Sequence, residues 1–409
     1  MKNILTFICI VFASYIDLYA QQGGSNYSMF GIGDIRQSIG AGYDGLAGTQ
    51  QAVQSYHAVN LANPAMWSAA KLTRLQIGFR FTQTAINQKS LSSAQNFGKL
   101  DGMAATFQVD TSMGLTISGG IHPYSIVQYS VSVPVIPSFP GLTELSGNTL
   151  SYGQGGLSAA FFGASCKPTP SLSIGIAGLG LFGTINKVVQ TELYSQPFIS
   201  VNQKTDRFSG SGIKFGLAWQ PQDNLTIGFS SALYSVLNYT SDFRQSTLNS
   251  GGIAYDTIFN GKGTIDLPSY YGLGISYQVY RWMFAIDGSL QDFSTIAYSQ
   301  GKSTFRSSKK FSVGIARLPS YQLGLPFDER IQFNFGAGYQ ELYYSYGGQN
   351  IDEYFGSIGM NIPIAGSAMI DFALQAGIRG KSAIVEEQFL RFGFSVSAGE
   401  QWFKPFPRE

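Results

Sequence analysis

The sequence predicts an all-β protein: a transmembrane antiparallel β-barrel of about fourteen strands with an N-terminal plug segment in its lumen. Three observations lead there. A secretory leader opens the chain, yet no later apolar run is long enough for a membrane-spanning helix, which leaves the closed barrel as the other structure able to span. Charged residues make up only 12% of the chain, about half the share usual in soluble domains, while aromatics reach 14% and glycines number 49. Apolar and polar residues alternate with period two in segments of roughly ten residues, joined by connections that are short and long in turn.

Taken in order, Met1–Ala20 read as a signal peptide. Lys2 supplies its positive start, Ile4–Ile16 its apolar stretch and Leu18-Tyr19-Ala20 a cleavage site. Cys9 lies inside the apolar stretch, away from the cleavage site, which disfavours a lipoprotein anchor. After cleavage Cys166 is alone, so no disulfide framework exists. The formal net charge is +2 with no run of either sign, and nothing points to a nucleic-acid partner.

Residues 21–70 form the expected plug. Within them Gly40–Ala65 is rich in small residues, nearly uncharged and without helical or strand period. Such a stretch offers too little apolar surface to offset its own ordering entropy and needs an enclosure.

Residues 71–403 carry the barrel. Period-two segments start near Leu72, Leu100, Met113, Thr149, Leu172, Phe208 and Asn224, then near Pro268, Arg281, Thr304, Arg330, Ile351, Ser367 and Gln388. In Ala368–Ile378, for example, Ile370, Phe372, Leu374 and Ile378 oppose Asp371, Gln375 and Gly377. Short turns such as Asp110–Ser112, Lys167–Pro170 and Pro221–Asp223 alternate with longer polar stretches expected to be loops: Asn87–Lys99, Pro134–Asn148, Lys187–Arg207 and Tyr239–Leu267. Leu318–Glu329 breaks the rule, being long where a short turn is due. Short turns fit the periplasmic side and long loops the outside. Fourteen strands enclose a lumen too wide to fill itself, which leaves room for the plug. The inward charges Arg80, Lys214, Asp287, Asp371 and Arg391 either contact the plug through ion pairs or are simply solvated there, and solvation is the favoured expectation. A short tail, residues 404–409, follows the last strand.

The third segment, Met113–Val133, is about twice the usual spanning length and places Leu115, Ile117, Ile121, Val127, Tyr129, Val131 and Val133 on one parity. Inside it sit Gly119-Gly120 and His122-Pro123. Proline cannot donate to the ladder, so a break is expected; the unbroken parity argues that no single residue is inserted.

Several residue groups resemble the FadL family of outer-membrane transporters. Val59–Trp67, VNLANPAMW, is similar to that family's Asn-Pro-Ala hatch motif, and Gly42–Ala52 to the small-residue segment before it. Trp219–Gly228, WQPQDNLTIG, resembles its Pro-x-Asp-x-Leu hairpin, and Leu267–Gly274, LPSYYGLG, its strand pair after the large mid-chain loop. The lead-in 21–36 and the tail beyond Phe403 depart from the family. The resemblance implies a monomeric channel in the outer membrane of a Gram-negative bacterium, contacting membrane lipids and taking up hydrophobic small molecules such as long-chain fatty acids passively. Plug and lateral wall opening would then gate passage. The alternative is that of FadL-like barrels that act as adaptors in a protein secretion system.

Candidate path and gating residues are Asn63, Pro64 and Ala65 in the hatch motif, and Gly119, Gly120, His122 and Pro123 at the strand break, where family members bear an inward kink that opens a lateral window. Val135, Ile136, Phe139 and Leu142, in the apolar stretch PVIPSFPGL, are candidates for a greasy access groove. No enzyme is expected. His57 and His122 are the only histidines, without metal-ligand spacing, so neither metal nor cofactor is expected. Gly40-x-Gly42-x-x-Gly45 lacks the strand and helix that give a dinucleotide fingerprint its mechanism.

Overall fold

The computed structural model describes residues 21–400 apart from 37, 89–90, 136–145, 195, 297, 299–302, 321–325, 365 and 382–383. The signal peptide and the tail 404–409 lie outside the described residues. Two-residue strands β1 (Gln21–Gln22) and β2 (Asp34–Ile35) open the N-terminal segment, which also holds 3₁₀ turns at Asn26–Met29, Asp44–Leu46 and Pro64–Ala69. Then follow β3 (Thr73–Gln88), β4 (Leu91–Asp110), β5 (Leu115–Pro123), β6 (Ser125–Val135), β7 (Gly147–Thr169), β8 (Leu172–Leu193) and β9 (Ile199–Gln222). The chain continues through β10 (Leu225–Tyr234), β11 (Leu237–Asn249), β12 (Gly252–Ile265), β13 (Tyr270–Val279) and β14 (Trp282–Asp292). It ends in β15 (Ser303–Phe305), β16 (Ser307–Arg317), β17 (Gln332–Tyr346), β18 (Gln349–Pro363), β19 (Met369–Lys381) and β20 (Val385–Glu400).

The pairs β5/β6, β10/β11, β12/β13 and β15/β16 are interrupted single strands, so the wall is a closed antiparallel barrel of 14 strands. Closure comes from β20 on β3, in register from Glu386↔Asn87 to Glu400↔Thr73. Each of the fourteen segments expected from periodicity corresponds to one wall strand.

The wall is inside-out relative to a soluble β-protein. Along β3 the exposed parity is Leu75, Ile77, Phe79 and Phe81, while the buried one carries Gln76, Arg80 and Thr84. On β13, Tyr271, Leu273, Ile275 and Tyr277 are exposed and alternate with Gly272, Gly274 and Ser276. An apolar band facing outward with polar residues inward is the pattern of a transmembrane barrel. No helix among the described residues is long and apolar enough to cross a membrane; the crossing elements are strands.

Three stretches expected to be loops are largely strand. β3 and β4 stay paired to Gln88↔Leu91, β8 and β9 to Glu192↔Ile199, and β11 with β12 forms a hairpin to Asn249↔Gly252. These extensions project past the apolar band, so both faces meet polar surroundings and lipid imposes no apolar parity. The β11–β12 hairpin adds to the upper half of β9 through Asn238↔Ser209 to Leu248↔Ile199. Among the described residues β12 pairs with β11 alone, and its other edge is free.

The third wall strand corrects the parity argument. β5 pairs with β7 up to Pro123↔Ser158, and β6 resumes at Val127↔Gly155. Four residues therefore oppose three, and one residue is inserted at the break. Below it Thr116, Ser118 and His122 are buried; above it the buried parity is Val127 and Tyr129. The odd-numbered apolar run does not face lipid throughout. Its upper part turns inward because Phe30 and Ile32 of the N-terminal segment, not lipid, supply its apolar contact.

Candidate functional site

The N-terminal segment is held by wall strands from all around the barrel. Backbone N–H groups of Gln50 and Gln51 donate to Asp287 Oδ2 on β14 at 2.6 and 2.8 Å, that of Ala47 to Ser357 Oγ on β18 at 2.8 Å, and that of Gly40 to Asp101 Oδ2 on β4 at 2.9 Å. Lys214 on β9 donates to Leu61 O at 2.7 Å. A stretch with few apolar side chains is thus ordered by polar partners that the wall provides, and nearly every residue from Ser38 to Val53 is buried. Close approach requires glycine on the wall: a Cβ on Gly216 of β9 would lie 2.2 Å from Asn63 Oδ1.

Asn63, Pro64 and Ala65 come together as the start of the Pro64–Ala69 turn. Asn63 is the N-cap, its Oδ1 accepting from Ala65 N at 3.0 Å, and Pro64 sits in the first turn, where a missing N–H costs nothing. Asn63 Nδ2 donates to Gln51 O at 2.8 Å and to Leu217 O of β9 at 3.1 Å, so the motif ties the segment to itself and to the wall.

The inward charges are not solvated. Arg80 Nη2 lies 2.5 Å from Asp44 Oδ2 of the segment and 2.8 Å from Asp101 Oδ2. Glu353 on β18 receives Arg391 of β20 at 2.8 Å and Arg379 of β19 at 2.6 Å, and Arg379 reaches Asp34 of the segment at 2.8 Å. Asp371 stands 3.5 Å from His57 Nε2. Burial lowers the His57 pKa while Asp371 opposes that shift. Sequence reading missed Asp34, Asp44, Asp101, Glu353 and Arg379 as members of these networks. Asp44, Asp101, Glu353 and Arg379 are buried and Asp34 half-buried, but the cross-strand register Glu353↔Arg379↔Glu387 that assembles the second network is set by strand pairing, which one sequence does not display.

At the break around Tyr124 the ladder between neighbouring wall strands stops. β4 pairs with β5 only up to Met103↔Ile121, so its upper edge, from Asp101 toward Leu91, has no backbone ladder with β6, and among the described residues only the Gln95 side chain crosses, Nε2 donating to Ser130 O at 2.7 Å. The N-terminal segment spans this gap. β1 pairs in parallel with β4 at Gln21↔Gln95 and Gln22↔Asn96, Gly24 N and Ser25 N donate to Gln128 O of β6, and β2 pairs with β6 at Asp34↔Ile126. Gly119, Gly120, His122 and Pro123 lie together just below the gap. A Cβ on Gly120 would meet Met103 O at 2.4 Å. His122 is buried, with Nδ1 3.0 Å from Pro123 O, and lines a cavity of about 30 Å³ beside Lys214 and Tyr234. Val135 ends β6, half-buried, away from this group. Ile136, Phe139 and Leu142 lie outside the described residues.

The cavities are small; the one at His122 is mainly apolar, with Ile35, Leu61, Ala159 and Leu179 in its lining. Another, of about 90 Å³, is lined by Asp34, Arg36, Asp44, Arg80, Lys310 and Glu353 among others. Burial, with Arg80 and Arg391 nearby, lowers the Arg36 pKa to about 10.

Comparison with known proteins places this arrangement. The family model described as BamG matches residues 1–406. Among solved structures the chain is similar to the toluene transporter TodX of P. putida (15% identity, TM-score 0.58, covering 90% of this chain and 100% of that one). It is also similar to the Ralstonia pickettii toluene transporter TbuX (15%, TM-score 0.61, covering 89% and 98%) and to a Pseudomonas aeruginosa FadL homologue (13%, TM-score 0.61, covering 90% and 99%). No curated protein matches. The fold is that of the FadL-like outer-membrane barrels, and the outer membrane is where such a wall resides.

Proposed function

This chain belongs to the BamG family, and we propose that it is a plugged outer-membrane barrel acting as an adaptor that holds another polypeptide. In this reading residues 21–70 are the plug, cleavage after Ala20 frees them, and residues 71–403 are the wall. The observation that carries it is the lumen. A cavity of about 90 Å³ in it is bounded by charged side chains such as Arg36, Arg80 and Glu353, which is poor accommodation for a hydrophobic solute. The surface left for function is then outside, and the β11–β12 hairpin offers a long free edge with Ile253, Tyr255, Ile258 and Phe259 exposed. Soluble chains blunt such an edge; one left open is fit for strand addition by a partner.

A second reading has its own observation. The gap between β4 and β6 supports passive uptake of a hydrophobic small molecule, such as a long-chain fatty acid. Solute would pass as Asn63-Pro64-Ala65 shifts and leave past Gly119, Gly120, His122 and Pro123 into lipid, a better solvent for it than water. The toluene transporters and the FadL homologue lend this reading their chemistry. Val135, Ile136, Phe139 and Leu142 would then form the access groove.

Crosslinking in intact membranes followed by mass spectrometry separates the two. The adaptor reading expects a stoichiometric protein partner that is lost when Ile253 and Ile258 are changed to Lys. A chain that purifies alone while conferring saturable uptake of a labelled fatty acid or toluene would overturn it in favour of transport.

A further inference from the structure

We infer that the lumen cavity lined by Arg36 and Lys310 is a binding site for a compact oxyanion of the phosphate type. Five cations line it, Arg36, Arg80, Lys310, Arg379 and Arg391, against three carboxylates, Asp34, Asp44 and Glu353. Those carboxylates are already engaged: Asp34 by Arg379, Asp44 by Arg80 and Ser38, and Glu353 by Arg379 and Arg391. Asp101 and Asp287 stand one layer back, holding Arg80 with Gly40 N and the N–H groups of Gln50 and Gln51 respectively.

What remains in the lining is a set of donors without hydrogen-bond acceptors, two of them over aromatic rings (Lys310 over Phe355, Arg391 over Phe389), while Asp287 Oδ1, one layer back, is a buried acceptor without a hydrogen bond. Among the described residues the Arg36 guanidinium and the Lys310 ammonium have neither an ion pair nor a hydrogen bond. The Nε atoms of Arg36, Arg80 and Arg391 are buried without a partner, and Arg80 and Arg391 are themselves only 7% and 8% exposed. Buried charged donors without acceptors are costly, and an oxyanion can take several at once in the forked geometry that guanidinium groups favour. A volume of about 90 Å³ holds several water-sized positions, room for one tetrahedral anion.

The donors come from different places. Arg36 belongs to the N-terminal segment, Arg80 to β3, Lys310 to β16 and Arg391 to β20. An anion among them bridges the segment to three wall strands and locks it in place. This inference is independent of whether the barrel holds a polypeptide or passes a solute.

The test uses the full mature chain purified in an uncharged detergent without phosphate. Titration calorimetry with inorganic phosphate should show one saturable site, with slower proteolysis of residues 21–70 as it fills. Arg36→Gln and Lys310→Met should each weaken binding at least tenfold, while Lys309→Gln, an exposed neighbour, should not. A parallel titration with short-chain phosphatidic acid identifies the source: binding of phosphate assigns a free anion, and binding of the lipid alone assigns a headgroup. The inference is overturned if neither probe binds, or if Arg36→Gln with Lys310→Met binds as the natural chain does.

Discussion

Arg80 is the place to cut the N-terminal segment loose. Its Nη2 serves Asp44 at 2.5 Å, Asp101 at 2.8 Å and Ser38 at 3.0 Å, and Asp101 in turn holds Gly40 N. In Arg80→Met two carboxylates, 5% and 2% exposed, lose their shared cation. Removing one partner from a buried pair costs about 3–5 kcal/mol, which raises the released population of the segment by roughly two to three and a half powers of ten. The backbone ladder of β3 with β4 and β20 is untouched, so heat-modifiable migration in gels should persist. Planar-bilayer recordings should show frequent openings where the natural chain is quiet, and protease should cut within residues 21–70 much sooner. Adding Asp44→Asn and Asp101→Asn removes the uncompensated charges and should restore much of the closed behaviour. Conductance and cleavage identical to those of the natural chain in folded Arg80→Met would refute the reasoning.

Two further outcomes follow from the same geometry. Asn63→Ala deletes three side-chain hydrogen bonds, each worth about 1 kcal/mol, so thermal unfolding should shift down by an amount corresponding to about 3 kcal/mol; a shift matching a surface substitution would deny the motif its structural role. In a Cys166→Ser background, Gln22→Cys with Asn96→Cys offers a disulfide between register partners of β1 and β4. The staple closes the gap in the wall, so oxidised protein should lose any hydrophobic uptake and keep any protein partner, and uptake that survives oxidation would exclude the lateral route.

Much of the wall was legible because lipid writes a strict rule. Leu75, Ile77, Phe79 and Phe81 must face out, and a period of two over ten residues displays that directly. The rule lapses where lipid does. Along Tyr239–Leu267 neither face is in the bilayer, polar and apolar residues share both parities, and the β11–β12 hairpin reads as a loop. At Tyr124 the rule misleads: Val127 and Tyr129 continue the odd parity of Ile117 and Ile121, yet one inserted residue turns them toward Phe30 and Ile32. Apolar alternation records that a face is greasy, not whether lipid or another part of the chain covers it. The lumen networks were hidden for a different reason. Asp34 and Arg379, or Asp44 and Arg80, become neighbours only through the three-dimensional closure of the barrel around residues 21–70.

The same networks set the terms on which any solute could cross. A hydrophobic molecule inside this lumen would touch guanidinium and carboxylate groups that are ordered by one another, and it would return no hydrogen bonds for those it displaced. Local breathing is therefore an expensive route, because each buried pair that parts leaves charge uncompensated. Movement of the whole segment is less costly per group: once residues 21–70 withdraw, water enters and solvates both halves of every pair. An N-terminal segment fixed in these contacts and passage through the lumen thus belong to two different states, closed and open. The oxyanion proposed to join Arg36 to the wall would favour the closed one. A protein partner at the β12 edge needs no such opening, since that edge lies on the projecting hairpin and is exposed whether the lumen is filled or not.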